Sequence, residues 1–275
     1  MQKITSPDYH LPEIIPLQWV RTLESGANQP IVVRGIQKGG TQSEEYVLKY
    51  RGAERMDETT SRRELLAAWM AAEMDIHTPT PVLIEVDENF VRTVPQALQT
   101  KLSTRSCGLN FGNRFMEGKT IVPPNGAIPP ALFQTAARIF TFDLLIQNGD
   151  RRSEKPNLFV SEGKIHVIDH ELAFGFLSML PMFANQSPWI LNETDILAAK
   201  KHLFYPILRQ CKDVNWEAAG STFKSLTPQF WQRANNLLPE PWHNSDEMTR
   251  IQQHIELIQQ HSDTFLSEIW NKLIG

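Results

Sequence analysis

The chain has 275 residues, of which 41 % are hydrophobic and 21 % charged, and a net charge of −4 with a pI near 6.1. That is enough chain for one large core or two lobes and too little for several independent domains, and the charge balance supports no broad cationic surface for nucleic acid or an anionic membrane. Two separate cysteines, Cys107 and Cys211, exclude a disulfide framework and point to reduced thiols in the cytoplasm. The N-terminus has no basic region followed by an apolar one, and no segment reaches about 18 uninterrupted apolar residues, so the expectation is a soluble, unexported protein.

In chain order, residues 17–23, 31–36 and 46–50 read as three strands of a β-meander, joined by Ser25-Gly26-Ala27-Asn28-Gln29-Pro30 and by a turn at Gly39-Gly40. A helix follows in SRRELLAAWMAAEMDI, where Leu65, Leu66, Trp69, Met70 and Met74 form one apolar face. Residues 82–86 read as another strand, so one helix sits among strands. Residues 107–130 are rich in Gly, Asn and Pro and read as a connector or a loop over a cleft; the lobe boundary is placed at Glu117-Gly118.

From Pro129 onward helical patterns dominate, interrupted by strands at 157–160 and 164–169 around the turn Glu162-Gly163. At the C-terminal end Met248, Ile251, Ile255, Ile258, Phe265, Ile269 and Leu273 recur at nearly heptad spacing, broken at Ser262. One or two amphipathic helices packed on the helical half explain this better than a dimeric coiled coil, because the run is short and Trp270 widens the apolar face. Trp216, Trp231 and Trp242 are expected to share that packing.

The chemistry concentrates in FDLLIQNGDRRSEKPNLFV and IHVIDHELAFG. Phosphoryl transfer needs a carboxylate near the attacking hydroxyl, an oxygen ligand and a second carboxylate for Mg²⁺, and a lysine on the nucleotide phosphates. Asp150 follows the apolar segment 139–146, which suits a catalytic aspartate on a loop held by a packed helix. Asn157 and Asp169, at one end of a hairpin, suit a metal pair. Competing readings exist. Asp150 also fits an Asx-turn in a surface loop, and Asp169 fits a salt bridge or capped turn. His166, Asp169, His170 and Glu171 hold zinc-type ligands, although on a strand the histidines face one side and Asp169 the other.

These segments, with SGANQP, YVLKY and the helix at Glu64-Leu65-Leu66, resemble the HipA-like kinases, an atypical branch of the protein-kinase fold, in that order over most of residues 17–175. The resemblance implies an α+β, two-lobed kinase-like fold, with a small β-rich lobe over 1–117 and a larger, mainly helical lobe over 118–275. It implies ATP and Mg²⁺ as cofactors and transfer of the γ-phosphoryl group to a hydroxyl of a protein Ser or Thr, with a nucleotide and a protein substrate as partners. Asp150 would be catalytic, Asn157 and Asp169 metal ligands, Lys49 the phosphate-binding lysine and Glu64 its ion-pair partner. Ser25, Gly26, Ala27 and Asn28 would cover the phosphates.

Phe115, Met116 and Glu117 would form the adenine hinge, since adenine is read by main-chain groups where lobes meet. Ser61-x-x-Glu64 also reads as a capping box, which would occupy the Glu64 carboxylate instead. Lys49 lies either on a solvated edge or on a cleft face. In many relatives the metal-binding asparagine follows the aspartate by five residues; here that position is Lys155, and Asn157 follows by seven. Lys155 is expected to point away from the ion, because an ammonium beside Mg²⁺ is repelled. A small-molecule kinase and an inactive pseudokinase are the alternative readings.

Overall fold

The computed structural model describes residues 2–23, 28–178 and 185–275, apart from the side chains of 103 and 104. Ser25, Gly26 and Ala27 lie outside the described residues.

The first half builds a closed five-stranded barrel in the order β1-β2-β3-β5-β4, from β1 (Glu13–Thr22), β2 (Ile31–Gln37), β3 (Ser43–Lys49), β4 (Pro81–Val86) and β5 (Gly108–Arg114). Alternation sends Ile14, Ile31, Val33, Tyr46, Leu48, Val82 and Ile84 inward, where they pack with Phe90, Leu98 and Leu102. β1 begins four residues earlier than the pattern suggests. Pro16 interrupts the pattern, and the register shifts between Pro16 and Gln18, so the proline is absorbed at an irregularity.

Where the sequence reads as a loop from 107 to 130, the structure has β5, which pairs with both β3 and β4 and closes the barrel. The residues that look loop-like have packing reasons. A Cβ on Gly112 would lie 2.5 Å from Ile84 Cδ1 and 2.7 Å from the Val47 carbonyl oxygen. Asn110 is fully buried, accepting from the Arg51 N–H at 2.9 Å and donating to the Ser106 and Gly108 carbonyls at 2.7 and 2.9 Å.

This half also carries three helices rather than one: α1 (Glu58–Glu73), α2 (Glu88–Thr93) and α3 (Gln96–Arg105). α1 starts three residues before Ser61, capped by the Asp57 carboxylate, which accepts from the Thr60 N–H at 2.7 Å. The capping-box reading of Ser61 and Glu64 is therefore overturned. Ser61 lies inside the helix, its buried hydroxyl without a hydrogen-bond partner, and Glu64 is left for other work.

The second half has a small sheet, β6 (Thr120–Ile121), β7 (Leu158–Ser161) and β8 (Lys164–Val167), in that order, beside the helices α4 (Phe133–Leu145), α5 (Glu193–Lys201), α6 (Tyr205–Gln210), α7 (Trp216–Gly220), α8 (Pro228–Leu237), α9 (Ser245–Gln260) and α10 (Ser262–Ile269). The β7–β8 turn is Glu162-Gly163, both at positive φ (50° and 71°), as a tight hairpin with right-handed strand twist requires. The near-heptad residues of α9 and α10 are buried in the main core with Phe223 and Trp231, and the two helices break at His261, so the stripe is internal packing. Trp231 and Trp242 are buried there, whereas Trp270 remains half exposed. No helix among the described residues is long and apolar enough to cross a membrane.

Candidate active site

Lys49, at the end of β3, points out of the barrel onto the cleft face and is only 7 % exposed. Its ammonium donates to Glu64 Oε1 on α1 and to Asp169 Oδ1 at 2.8 Å. The second oxygen of Glu64 accepts from the His170 backbone N–H at 3.0 Å, so one carboxylate ties α1 both to β3 and to the segment after β8. Burial alone would discharge Lys49, but Asp169 and Glu64 outweigh it and raise its pKa above the ordinary lysine value. Burial pushes Glu64 up to about 7 against the pull of Lys49.

Asp150 follows α4 and is 3 % exposed, so it is no surface turn residue. Lys155 Nζ donates to its Oδ2 at 2.7 Å, Asn157 Nδ2 approaches the same oxygen at 3.3 Å, and Arg152 Nη2 meets Oδ1 at 3.2 Å. Asn157 and Asp169 lie just outside the hairpin, both in the left-handed region (φ 50° and 61°) that Asn and Asp tolerate better than most side chains.

Lys155 does not point away. Its ammonium sits 2.7 Å from Asp150, 2.9 Å from Asp169 Oδ2 and 3.6 Å from Glu171 Oε1. The pull of three clustered carboxylates on the nearest tethered cation decides its direction. Burial would raise the Asp169 carboxyl, but Lys49 and Lys155 outweigh it and hold it well below the usual carboxylate range.

Donor oxygens of Asp150, Asp169 and Glu171 all lie within 4.8 Å of one another. A set of hard carboxylate oxygens suits Mg²⁺ and contains neither His166 nor His170, which removes the ground for a zinc site. His166 instead stacks on Phe159 with ring centroids 5.0 Å apart. His170 is buried against Phe142, and burial lowers its pKa to about 3.

Asn28 reaches the same cluster, donating to Glu171 Oε2 and accepting from the Arg55 N–H at 2.9 Å. Phe115, Met116 and Glu117 follow β5 in the connector to β6, with the Phe115 ring between Arg21 and Lys119 at 4.7 and 4.8 Å.

A buried support beneath the loop was missed by sequence reasoning. Asp143, on α4, takes a two-pronged contact from Arg151, with Nε to Oδ2 at 2.5 Å and Nη2 to Oδ1 at 3.2 Å. It also bonds Asn148 Nδ2 at 2.9 Å and His202 Nε2 at 3.0 Å. Arg151 Nη1 donates onward to the carbonyls of Asn157 at 2.7 Å and Ile168 at 3.3 Å, linking the loop of Asp150 to the residues beside Asp169. The available signal was a lone carboxylate inside the apolar run 139–146, where an unpaired charge is too costly to keep.

A β-barrel lobe over a helical lobe, with a buried lysine–glutamate pair facing clustered aspartates, defines a kinase-like protein. The chain belongs to the HipA-like kinase family, whose profile matches residues 18–272. Among solved structures it is similar to the proinflammatory kinase CtkA of Helicobacter pylori, at 13 % identity over 96 % of this chain and 94 % of that one, with a TM-score of 0.45. It is also similar to the PAN3 pseudokinase of Neurospora crassa, at 14 % identity over 94 % of this chain and 68 % of that one, with a TM-score of 0.34. Curated proteins yield no match.

Proposed function

We propose that the chain is an active phosphotransferase that moves the γ-phosphoryl group of ATP to a hydroxyl of a protein Ser or Thr, in the cytoplasm. The observation that carries this reading is the Lys49 ammonium bonded at once to Glu64 and Asp169, with Asp150 joined to Asp169 through Lys155. The charged lysine is held between the buried Glu64 and the partly buried Asp169, the placement that a phosphate-binding lysine needs. On this reading residues 1–117 and 118–275 are the two lobes of one kinase-like domain. ATP lies between them, with adenine against the main chain of Phe115, Met116 and Glu117 and the phosphates beside Asn28 and Lys49.

Lys49 binds the nucleotide phosphates, and Glu64 fixes the direction of its side chain. Asp150 orients the acceptor hydroxyl and takes its proton as the oxygen attacks phosphorus. Asp169 and Asn157 would hold Mg²⁺, which when bound neutralises charge on the phosphate oxygens.

A small-molecule acceptor is favoured by one specific feature. A cavity of about 720 Å³ opens beside Asp150, walled by Gln147, Leu172, Phe176, Asp195, His254 and Leu257, among others. That is within the range of small-ligand pockets, roughly 300–1,000 Å³. Incubation with γ-labelled ATP and cell extract separates the two acceptor classes, since label enters either polypeptide or soluble metabolites. The kinase reading itself fails if wild type binds no Mg·ATP, or if Asp150→Asn transfers phosphate at the wild-type rate.

A further inference from the structure

The carboxylates of Asp150, Asp169 and Glu171 converge in this site, and the Lys155 ammonium sits among them. The Lys155 ammonium lies 2.7 Å from Asp150, 2.9 Å from Asp169 and 3.6 Å from Glu171, distances at which a bound cation satisfies an acidic cluster. Its tether is short and shaped. The Lys155 N–H donates to the Arg152 carbonyl at 3.1 Å and the Arg152 N–H to the Lys155 carbonyl at 3.2 Å, closing the loop into a tight turn, and Pro156 follows at once.

The surrounding charges are matched. Lys49 holds the other oxygen of Asp169 at 2.8 Å, and Arg152 holds the other oxygen of Asp150 at 3.2 Å. Arg55 lies 3.9 Å from Glu171, so each of the three carboxylates has a cationic neighbour besides Lys155. A carboxylate oxygen has a second acceptor direction, so Asp169 can share one divalent ion with its lysines. A second divalent ion among Asp150, Asp169 and Glu171 would have to occupy the position of the Lys155 ammonium.

We infer that Lys155 is a fixed, built-in cation that takes the place of a second metal, so that this kinase site accepts a single divalent ion with its nucleotide. The inference rests on the kinase reading. Lys155 holds Asp150 and Glu171, and Asp169 with Asn157 is left to the one exchangeable ion.

Mn²⁺ titration followed by paramagnetic resonance of free Mn²⁺, with saturating adenylyl imidodiphosphate, counts the bound ions. Wild type and Lys155→Arg should bind one Mn²⁺ per chain, and Lys155→Met two. Without nucleotide, the thermal midpoint of Lys155→Met in EDTA should fall below that of wild type and recover with millimolar Mg²⁺, while wild type shifts much less. Lys155→Gln provides the same comparison if the methionine variant does not fold. Two ions on wild type, or one ion on a folded neutral variant, would overturn the inference and leave the kinase reading standing. Absence of nucleotide binding to wild type would overturn both.

Discussion

Replacing Arg151 by methionine isolates the buried support under the site. The guanidinium is almost fully buried and makes the contacts to Asp143 at 2.5 and 3.2 Å. Its removal leaves the Asp143 charge with only His202 and Asn148. Losing one partner of a buried pair costs about 3–5 kcal/mol, a large share of a total stability of roughly 5–15 kcal/mol. The Asn157 carbonyl limits the loss, because it also accepts from the Ile168 N–H at 3.0 Å. Adding Asp143→Leu removes the stranded charge. The double variant should recover about half of the loss, since a buried ion pair exchanged for apolar groups is often neutral, while His202 and Asn148 still lose their acceptor.

Activity should not recover with stability. The Arg151 contacts to the Asn157 and Ile168 carbonyls set the distance between the Asp150 loop and the end of β8, and no apolar side chain restores them. Urea unfolding of the wild type, both single variants and the double variant gives the coupling energy, and turnover measured on the same samples separates the two effects. A single-variant loss below about 1 kcal/mol, the scale of an exposed pair, would refute the argument. Full turnover in the double variant would refute it equally.

Asp57→Ala should cost about 1 kcal/mol by removing the α1 cap, whereas Ser61→Ala should be neutral or slightly stabilising; the opposite order in thermal unfolding would restore the Ser61 box. Gly112→Ala should destabilise by about 1–3 kcal/mol through overpacking against Ile84 and the Val47 carbonyl, and a neutral result would mean that β5 gives way easily. Burial holds His254, stacked on Phe176, at a pKa down to about 4. Its neutral form is therefore kept in the folded state, so stability is at its full value above pH ~6.5 and falls towards pH 4 by about 1.4 kcal/mol per pH unit for one proton. Denaturation at pH 7, 6 and 5 should give a shallower slope for His254→Gln, and an unchanged slope would remove His254 from the account. Glu247→Ala should weaken Mg·ATP binding as well as stability, because Glu247 anchors α1 through Arg62 and Arg63 at 2.7 and 2.9 Å; lost stability with unchanged affinity would show that α1 is held without it.

Legibility followed periodicity. β2, the β7–β8 hairpin, α4 and the α9–α10 stripe were readable because alternation or helical spacing is unbroken there. Lys49, Glu64, Asp150 and Asp169 stand out chemically in the sequence, and the structure brings these four side chains together. β5 was not readable, since barrel closure demands small or polar residues at Gly108, Asn110 and Gly112, and these mimic a loop. The cap of α1 was misplaced because Ser61-x-x-Glu64 satisfies the box pattern locally, while the tertiary pull of Lys49 and His170 claims the glutamate. The direction of Lys155 is decided by charges brought in from residues 169 and 171, which spacing along its own loop does not reveal.

α1 connects these observations. One turn of it presents Glu64 to Lys49 and His170, and the same turn sends Arg62, 3 % exposed, to the Trp242 carbonyl at 2.8 Å and to Glu247 on α9. The apolar residues of α1, among them Leu65, Leu66, Trp69 and Met70, belong to the core shared with the C-terminal helices and not to the barrel interior. Moving α1 away from Lys49 would therefore break a buried arginine contact and open the larger core, a cost of several kcal/mol set by the wrong end of the chain for a local switch. The Lys49–Glu64 pair is thus held in place by the packing of α1 on the larger core. The Asp150 loop is held separately, by Arg151 on the buried Asp143 and by Lys155 between Asp150 and Asp169, so the two sides of the cleft are anchored by independent contacts.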